Sequence, residues 1–126
     1  MKHVLTALGL IALVLSFCIF AAAGTRKVCQ EALELLQTAS DAVRQKDFSG
    51  AEQALKKAAG LWRTRESFFG VVLSHAETDE ILTRFAALEE YVRLQDRDDF
   101  LSICAELEEA IRHLAEMELP KLHNIL

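Results

Sequence analysis

The sequence predicts an all-helical protein in which an N-terminal membrane segment precedes a helical bundle. Three observations support this: an uncharged apolar run from Val4 to Ala23, apolar residues at helical spacing in the rest of the chain, and few turn-forming residues. The 126 residues include one proline and five glycines, too few for the many tight reversals of a strand-rich fold. We therefore expect a membrane helix over residues 1–23 and a helical domain over residues 24–126.

The apolar run is long enough to cross a bilayer. Residues 4–23 read VLTALGLIALVLSFCIFAAA, and about 20 helical residues at 1.5 Å each match a hydrocarbon core of roughly 30 Å. Ala21 and Ala23 also form a small-residue site of the kind that signal peptidase accepts. Two outcomes stay open: a retained single-pass anchor, which the length favours, or a domain secreted after cleavage behind Ala23. The signal-like layout places the C-terminal domain outside the cytoplasm.

Charge argues against one class of partner. Residues 24–126 carry a net charge of −6, whereas a nucleic-acid-binding domain is expected to present a basic surface. Residues 24–76 carry +2 and residues 77–126 carry −8. This asymmetry predicts two halves that attract each other when they pack, with an acidic docking face as the alternative.

Four stripes of apolar residues at spacings of three and four predict four helices. The first stripe runs from Val28 to Val43 and the second from Leu55 through Phe68 and Phe69 to Val72. The third and fourth stripes run from Ile81 to Val92 and from Phe100 to Leu114.

Polar residues predict where these helices begin and end. Ser49 to Glu52 and Ser74 to Glu77 have the spacing of capping boxes, so the second helix should begin at Ser49 and the third near His75. Acidic residues from Asp96 to Asp99 should cap the fourth helix. Pro120 marks its expected end.

A weak internal repeat supports the helix count. A shift of 52 positions places Asp47-Phe48 on Asp99-Phe100 and Leu36 on Leu88, which suggests two similar helical hairpins. Spacings of three and four favour nearly antiparallel packing, and we predict an antiparallel four-helix bundle. A tetratricopeptide-like stack is the alternative. At Gly24 the anchor either bends away or continues into the first helix.

The cysteines and one acidic helix face are the candidates for covalent or metal chemistry. An up-down bundle places Cys29 and Cys104 near opposite ends, too far apart for a disulfide, so Cys104 is expected in the core. Cys29 could instead join two chains beside the membrane. Glu109, His113 and Glu116 share a helix face, but the Glu-x-x-His motif of dimetal bundles is missing, and we expect neither a metal nor a cofactor.

Few residues stand out as candidates for a binding site. Arg65 follows Trp62 on the second stripe, where it would need a carboxylate partner or a route to water. His75 is close to two acidic residues at the start of the third helix. Nothing in the spacing combines a nucleophile with a base and an orienting acid, so no catalytic residue is predicted and the protein is not expected to be an enzyme.

Several of these features together resemble a known family. They are Trp62 followed by basic residues, the His75-Ala-Glu-Thr-Asp79 segment and the closing Asn124-Ile125-Leu126. This pattern resembles domain-of-unknown-function family 4363, small membrane-anchored helical proteins of Gram-positive bacteria. The resemblance covers nearly the whole chain and implies an anchored helical domain with no assigned activity. It makes Trp62, His75 and the tail from Asn124 to Leu126 candidate interaction residues.

The sequence therefore favours a non-enzymatic module, held in the membrane by residues 4–23. Its expected partner is another membrane or envelope protein or a second copy of itself, and no nucleic acid. The alternative is a sensor domain that binds a small ligand or a metal through Arg65, His75 or the face that carries Glu109 and His113.

Overall fold

The computed structural model describes residues 1–65 and 75–125, with side chains at all of these except 22, 75–77 and 117–125. Four helices are present in these residues: α1 (Lys2–Arg44), α2 (Phe48–Thr64), α3 (His75–Arg93) and α4 (Arg97–Ile125). The described part of the chain contains no strand, and the prediction of an all-helical protein is confirmed. The part of the second stripe at Phe68, Phe69 and Val72 lies outside the described residues.

The two short connections have the same backbone structure. Lys46 and Gln95 adopt left-handed conformations, with φ of 62° and 55°. After each of them an aspartate caps the next helix: the Asp47 carboxylate accepts from the amide of Gly50 at 3.0 Å and the Asp96 carboxylate accepts from the amide of Asp99 at 3.2 Å. The amides at both turns complete Schellman motifs, which satisfy helix-end carbonyls. The bonds are Lys46 to Val43, Asp47 to Ala42, Gln95 to Val92 and Asp96 to Tyr91.

These caps correct one predicted boundary and confirm another. Ser49 does not cap α2; Asp47 does, and the helix begins at Phe48. The reason is the turn, since the left-handed residue before Asp47 aims its carboxylate at the first free amides of α2. Acidic capping of the fourth helix is confirmed at Asp96. The third helix is described from His75 onward, so its predicted start stays a prediction. Ser74, the first residue of the other proposed box, lies outside the described residues.

The internal repeat has a different period from the predicted one. The two Schellman turns are related by a shift of 49 positions, not 52, and this shift pairs a buried residue with a buried residue at eight pairs of core positions. The pairs are Ala32 and Ile81, Leu36 and Phe85, Ala39 and Leu88, Val43 and Val92, Ala51 and Phe100, Leu55 and Cys104, Ala58 and Leu107, and Trp62 and Ile111. A shift of three residues is close to one helical turn, which is why the wrong register also matched apolar residues.

One apolar core joins the four helices into a bundle. In the described residues α1 packs against α2, α2 against α3, α3 against α4, and α4 against α1. The largest fully buried side chains are Trp62, Phe85 and Phe100. The described members of the predicted stripes form this core: they are buried or, at Leu35, Leu61 and Ile103, half-buried. The amphipathic pattern therefore identified the buried face of each helix.

Two helices are longer than the sequence suggested. α1 continues through Gly24 without a break, which decides between the two alternatives at that position. α4 continues past Pro120 to Ile125, so the prediction that Pro120 ends the helix is wrong. A proline removes only its own amide hydrogen bond and crowds one preceding carbonyl. The residues after it can still form helical hydrogen bonds, and the helix continues.

Candidate functional site

The first half of α1 exposes a continuous apolar surface. Ten large apolar side chains between Val4 and Phe20 are each more than half exposed, and they face all sides of the helix. The hydroxyl groups of Thr6 and Ser16 donate to the carbonyls of Lys2 and Ala12, both at 2.8 Å. Within this segment the polar side chains are thus satisfied by the helix itself, as a hydrocarbon environment requires. Among the described helices, α1 is long and apolar enough to cross a membrane.

This surface ends abruptly where the bundle begins. Phe20 is 79% exposed, whereas the next residue, Ala21, is 8% exposed. Thr25 is 2% exposed and donates its hydroxyl to the carbonyl of Ala21 at 3.0 Å. Arg26 and Lys27 are exposed and are the first charged residues after the apolar run. At the level of residues 20 and 21, α1 therefore has protein on one side and an uncovered apolar side chain on the other.

A polar contact links α1 and α4 deeper in the bundle. The Ser40 hydroxyl lies 3.1 Å from the Cys104 thiol, and the thiol donates to the carbonyl of Leu36 at 3.7 Å. Burial raises the pKa of Cys104 to about 11, and the nearby Glu108 carboxylate adds to the rise. A nucleophilic cysteine needs a lowered pKa. Cys104 is therefore a protonated, buried thiol that holds two helices together.

Two of the grooves between helices in the described part of the chain have carboxylates and arginines in their lining. One, of about 320 Å³ between α1 and α4, is lined in part by Ser40, Asp41 and Glu108. The other, of about 750 Å³ between α2 and α3, contains the Arg63–Glu89 ion pair at 3.4 Å. In the first groove Asp41 pairs with Arg44, and Glu108 with Arg112. The described residues contain no group of three or more potential ligands placed to hold a metal ion.

Ion pairs bear on the predicted attraction between the two halves of the chain. Arg63 in the basic half pairs with Glu89 in the acidic half. Arg84 lies between Glu80 at 2.6 Å and Glu106 at 3.7 Å, all in the acidic half. An exposed pair such as Arg63 and Glu89 stabilises by about 0.2–1 kcal/mol, whereas the Arg84 side chain is half-buried. Among these pairs, the one between Arg63 and Glu89 joins the two halves of the chain. The two pairs of Arg84 lie within the acidic half.

The structure places the candidate residues in different environments. Trp62 is fully buried in the core, where a partner cannot reach it. Arg65 is exposed at the C-terminal cap of α2, because the helix ends at Thr64. Its side chain therefore reaches water, which is one of the two outcomes that the sequence left open. His75 begins α3 and Asn124 and Ile125 end α4, but their side chains are not described. Leu126 lies outside the described residues.

The other proposed contacts are also resolved. Cys29 is 1% exposed, which contradicts its suggested role in joining two chains, and it forms no disulfide with Cys104. Glu109, His113 and Glu116 are exposed. Glu109 pairs with Arg112 at 3.5 Å, so this face has the ion pairing of a solvated helix surface.

Sequence reasoning missed Ser40 and Arg84. Ser40 lies one residue after Ala39 on the first stripe, and its role depends on a partner 64 positions away. Arg84 lies beside the third stripe, one residue before Phe85. A charged residue next to a core position could have indicated contact with the neighbouring helix. Neither residue contributes to a site with evident chemistry.

Comparison with known proteins identifies the family. Residues 19–125 match the family model described as "Domain of unknown function (DUF4363)". No curated protein matches the chain, and no solved structure does. Because the match begins at Ile19 and covers the whole bundle, the protein belongs to the DUF4363 family.

Proposed function

We propose that this protein is a membrane-anchored, non-enzymatic module whose bundle binds another membrane or envelope protein. The observation that supports it is the continuity of α1, whose residues 4–20 are apolar and exposed while residues 28–43 form part of the bundle core. A single rigid helix would thus join the bilayer to the domain. In this proposal the bundle has four antiparallel helices and lies on the outer side of a bacterial cell membrane.

Retention of the anchor is favoured over cleavage behind Ala23. Cleavage there would cut inside α1 and remove Ala21, which is 8% exposed and accepts the Thr25 hydrogen bond. The bundle would lose the turn of α1 that contains Ala21 and would gain a charged amino terminus beside Thr25. The apolar run also has the length of a full membrane span. A retained anchor that is continuous with the bundle accounts for both this length and the burial of Ala21.

The polar groups support a role in binding. The buried thiol at Cys104 has a raised pKa, and the carboxylates in the groove between α1 and α4 pair with arginines. Neither feature supplies an activated nucleophile or a poised base. A stable helical scaffold with a mixed-charge surface fits a protein partner.

Fractionation of cells that express the full chain tests the anchor. We expect the protein to stay with membranes after carbonate washing and to keep its N-terminal residues, as read by intact-mass spectrometry. The matched variant, residues 24–126, should leave the membrane fraction. Wild-type protein that is released by carbonate, or whose mass begins at Gly24, would overturn the anchored proposal.

Thiol labelling in intact cells tests which side the bundle occupies. Cys104 and Cys29 are buried, so the reporter is Ser102→Cys, an exposed position on α4, in a Cys18→Ala background. Labelling of this variant by a membrane-impermeant maleimide before lysis places the bundle outside. Labelling only after lysis contradicts that side and moves the partner search to the cytoplasm.

Crosslinking tests the partner. A photoreactive residue at Arg65, which is exposed, should capture a specific membrane or envelope protein or a second copy, whereas one at the buried Trp62 position should not. If neither a partner nor self-association is found in native membranes, the binding proposal fails while the anchor can still stand.

A further inference from the structure

We propose that a small cavity between α1 and α4 binds the head group of a phospholipid that has both a phosphate and a primary ammonium group, such as phosphatidylethanolamine. This inference rests on the proposed membrane anchor and adds a specific lipid site to it. Arg26 on α1 faces the phosphate, and Glu116 on α4 faces the ammonium.

The cavity has the size of a head group. Its volume is about 190 Å³, the space of about six water molecules at roughly 30 Å³ each. In the described part of the chain its polar lining consists of Arg26, Gln30, Arg112 and Glu116, and apolar side chains from both helices form the rest. The polar residues are exposed, so a ligand can reach them from outside the bundle.

Two opposite charges in this lining form no ion pair within the described residues. Arg112 is paired, with Glu108 at 3.4 Å and with Glu109 at 3.5 Å. Arg26 and Glu116 line the same cavity, but they pair neither with each other nor with another described side chain. A ligand with one negative and one positive group satisfies both residues, whereas a simple anion leaves the Glu116 carboxylate unpaired beside it.

The directions of the helices explain why these two side chains stay apart. α4 runs antiparallel to α1 here, since Ser40 contacts Cys104 whereas Cys29 lines the cavity together with Ala115. Side chains on a helix lean toward the N-terminal end of that helix. The guanidinium of α1 therefore leans toward the apolar run, and the carboxylate of α4 leans away from it.

The depth of Arg26 suits a lipid phosphate. The apolar run ends at Ala23, and three residues of helix rise about 4.5 Å. The head-group region extends about 5–8 Å beyond each side of the hydrocarbon core, so Arg26 lies within it if the run spans that core. In a phospholipid the phosphate is attached nearer the acyl chains and the ammonium is at the free end, which matches the order of Arg26 and Glu116.

Hydrogen-bonding chemistry favours a primary ammonium over other head groups. An arginine can donate two parallel hydrogen bonds to phosphate oxygens. A primary ammonium donates up to three hydrogen bonds, which a carboxylate accepts, whereas the quaternary ammonium of phosphatidylcholine has no N–H group. The glycerol head group of phosphatidylglycerol carries no cation for Glu116. The cavity should therefore distinguish these three lipids.

Lipid retention by the full chain tests the site. The protein is reconstituted into phosphatidylcholine vesicles that contain equal minor amounts of phosphatidylethanolamine and phosphatidylglycerol, and is then extracted in mild detergent. Native mass spectrometry counts the lipids that each protein retains. The test variants are Arg26→Gln and Glu116→Gln, and circular dichroism checks that each is helical.

Two matched controls lie outside the cavity. Lys27→Gln removes an exposed cation at nearly the same depth as Arg26, and Glu109→Gln removes an exposed carboxylate from the same helix as Glu116. Both controls change the net charge as the test variants do.

We expect phosphatidylethanolamine to be retained in preference to both other lipids. Each test variant should lower this retention by at least about tenfold, the effect of losing one charge-assisted hydrogen bond, and the controls should leave it unchanged. Equal retention of phosphatidylglycerol would indicate a simple anion site and overturn the assignment of Glu116. Equal losses in Lys27→Gln and Arg26→Gln would indicate general attraction to the membrane surface and overturn the site.

Flotation separates this inference from the proposed function. If α1 is an anchor, the protein should float with vesicles of phosphatidylcholine alone. If it floats but retains no phosphatidylethanolamine, the anchor stands and the head-group site is wrong. If it does not float, the anchor itself is wrong, and the inference fails with it.

Discussion

Replacing Trp62 with alanine distinguishes a core residue from an interaction residue. The side chain is fully buried, and a tryptophan buries about 150–250 Å². At about 25 cal/mol per Å² this corresponds to roughly 4–6 kcal/mol of transfer free energy. Measured truncations of buried aromatic residues fall at about 3–5 kcal/mol. Since small domains have about 5–15 kcal/mol of total stability, Trp62→Ala should remove a large share of it.

The assay is thermal unfolding of the full chain in mild detergent, followed by far-ultraviolet circular dichroism. For a domain of this size, each kcal/mol shifts the unfolding temperature by about 4–8 °C, so a loss of 3 kcal/mol predicts a fall of at least about 12 °C. Arg65→Ala is the control, because that side chain is exposed at the end of α2. It should change stability by less than about 0.5 kcal/mol.

One result would refute the reasoning. If Trp62→Ala unfolds within a degree or two of wild type and yet loses a crosslinked partner, Trp62 belongs to an exposed binding surface. The description of the core around it would then be wrong. A large loss of stability together with unchanged partner capture at permissive temperature would support the packing role.

Three further predictions concern the turns and the buried thiol. Asp47→Ala should lower the free energy of unfolding by about 1 kcal/mol through loss of the α2 cap, whereas Ser49→Ala should change it little. Chemical denaturation of both variants checks this, and equal losses of stability would contradict it. Lys46→Gly should raise stability by about 0.5 kcal/mol, because a left-handed residue with a side chain costs about 1–2 kcal/mol and glycine's greater freedom in the unfolded chain offsets part of that gain. The pKa of Cys104 is about 11 in the folded protein against an ordinary 9.0, so its contribution to stability is complete below pH 9 and is lost as pH rises through 11. Denaturation of wild type and Cys104→Ala across this range should show the extra loss in wild type alone, and parallel curves would contradict it.

Much of the fold could be predicted from local patterns. The stripes from Ile81 to Val92 and from Phe100 to Leu114 named core residues correctly, because a helix buries whatever recurs on one face. The apolar run from Val4 needed only its length and lack of charge to indicate a membrane span. The scarcity of glycine and proline was enough to exclude a strand-rich fold.

The turns were harder, because their chemistry depends on backbone conformation. Ser49 and Asp47 are both good capping residues, and only the left-handed conformation of Lys46 decides between them. For the same reason the sequence predicts a repeat of 52 positions, whereas the two turns recur after 49 positions. Helical spacing recurs every three or four residues, so apolar matches alone cannot fix the register.

The candidate site depended on tertiary structure almost entirely. The sequence placed Trp62 and Arg65 on one stripe, but α2 ends at Thr64, and the indole is buried whereas Arg65 is exposed. The contact between Ser40 and Cys104 joins residues that are 64 positions apart in the chain. Local sequence determined which residues are apolar and which are helical. Packing alone decided which of them are buried and which are exposed, because burial depends on the neighbouring helix.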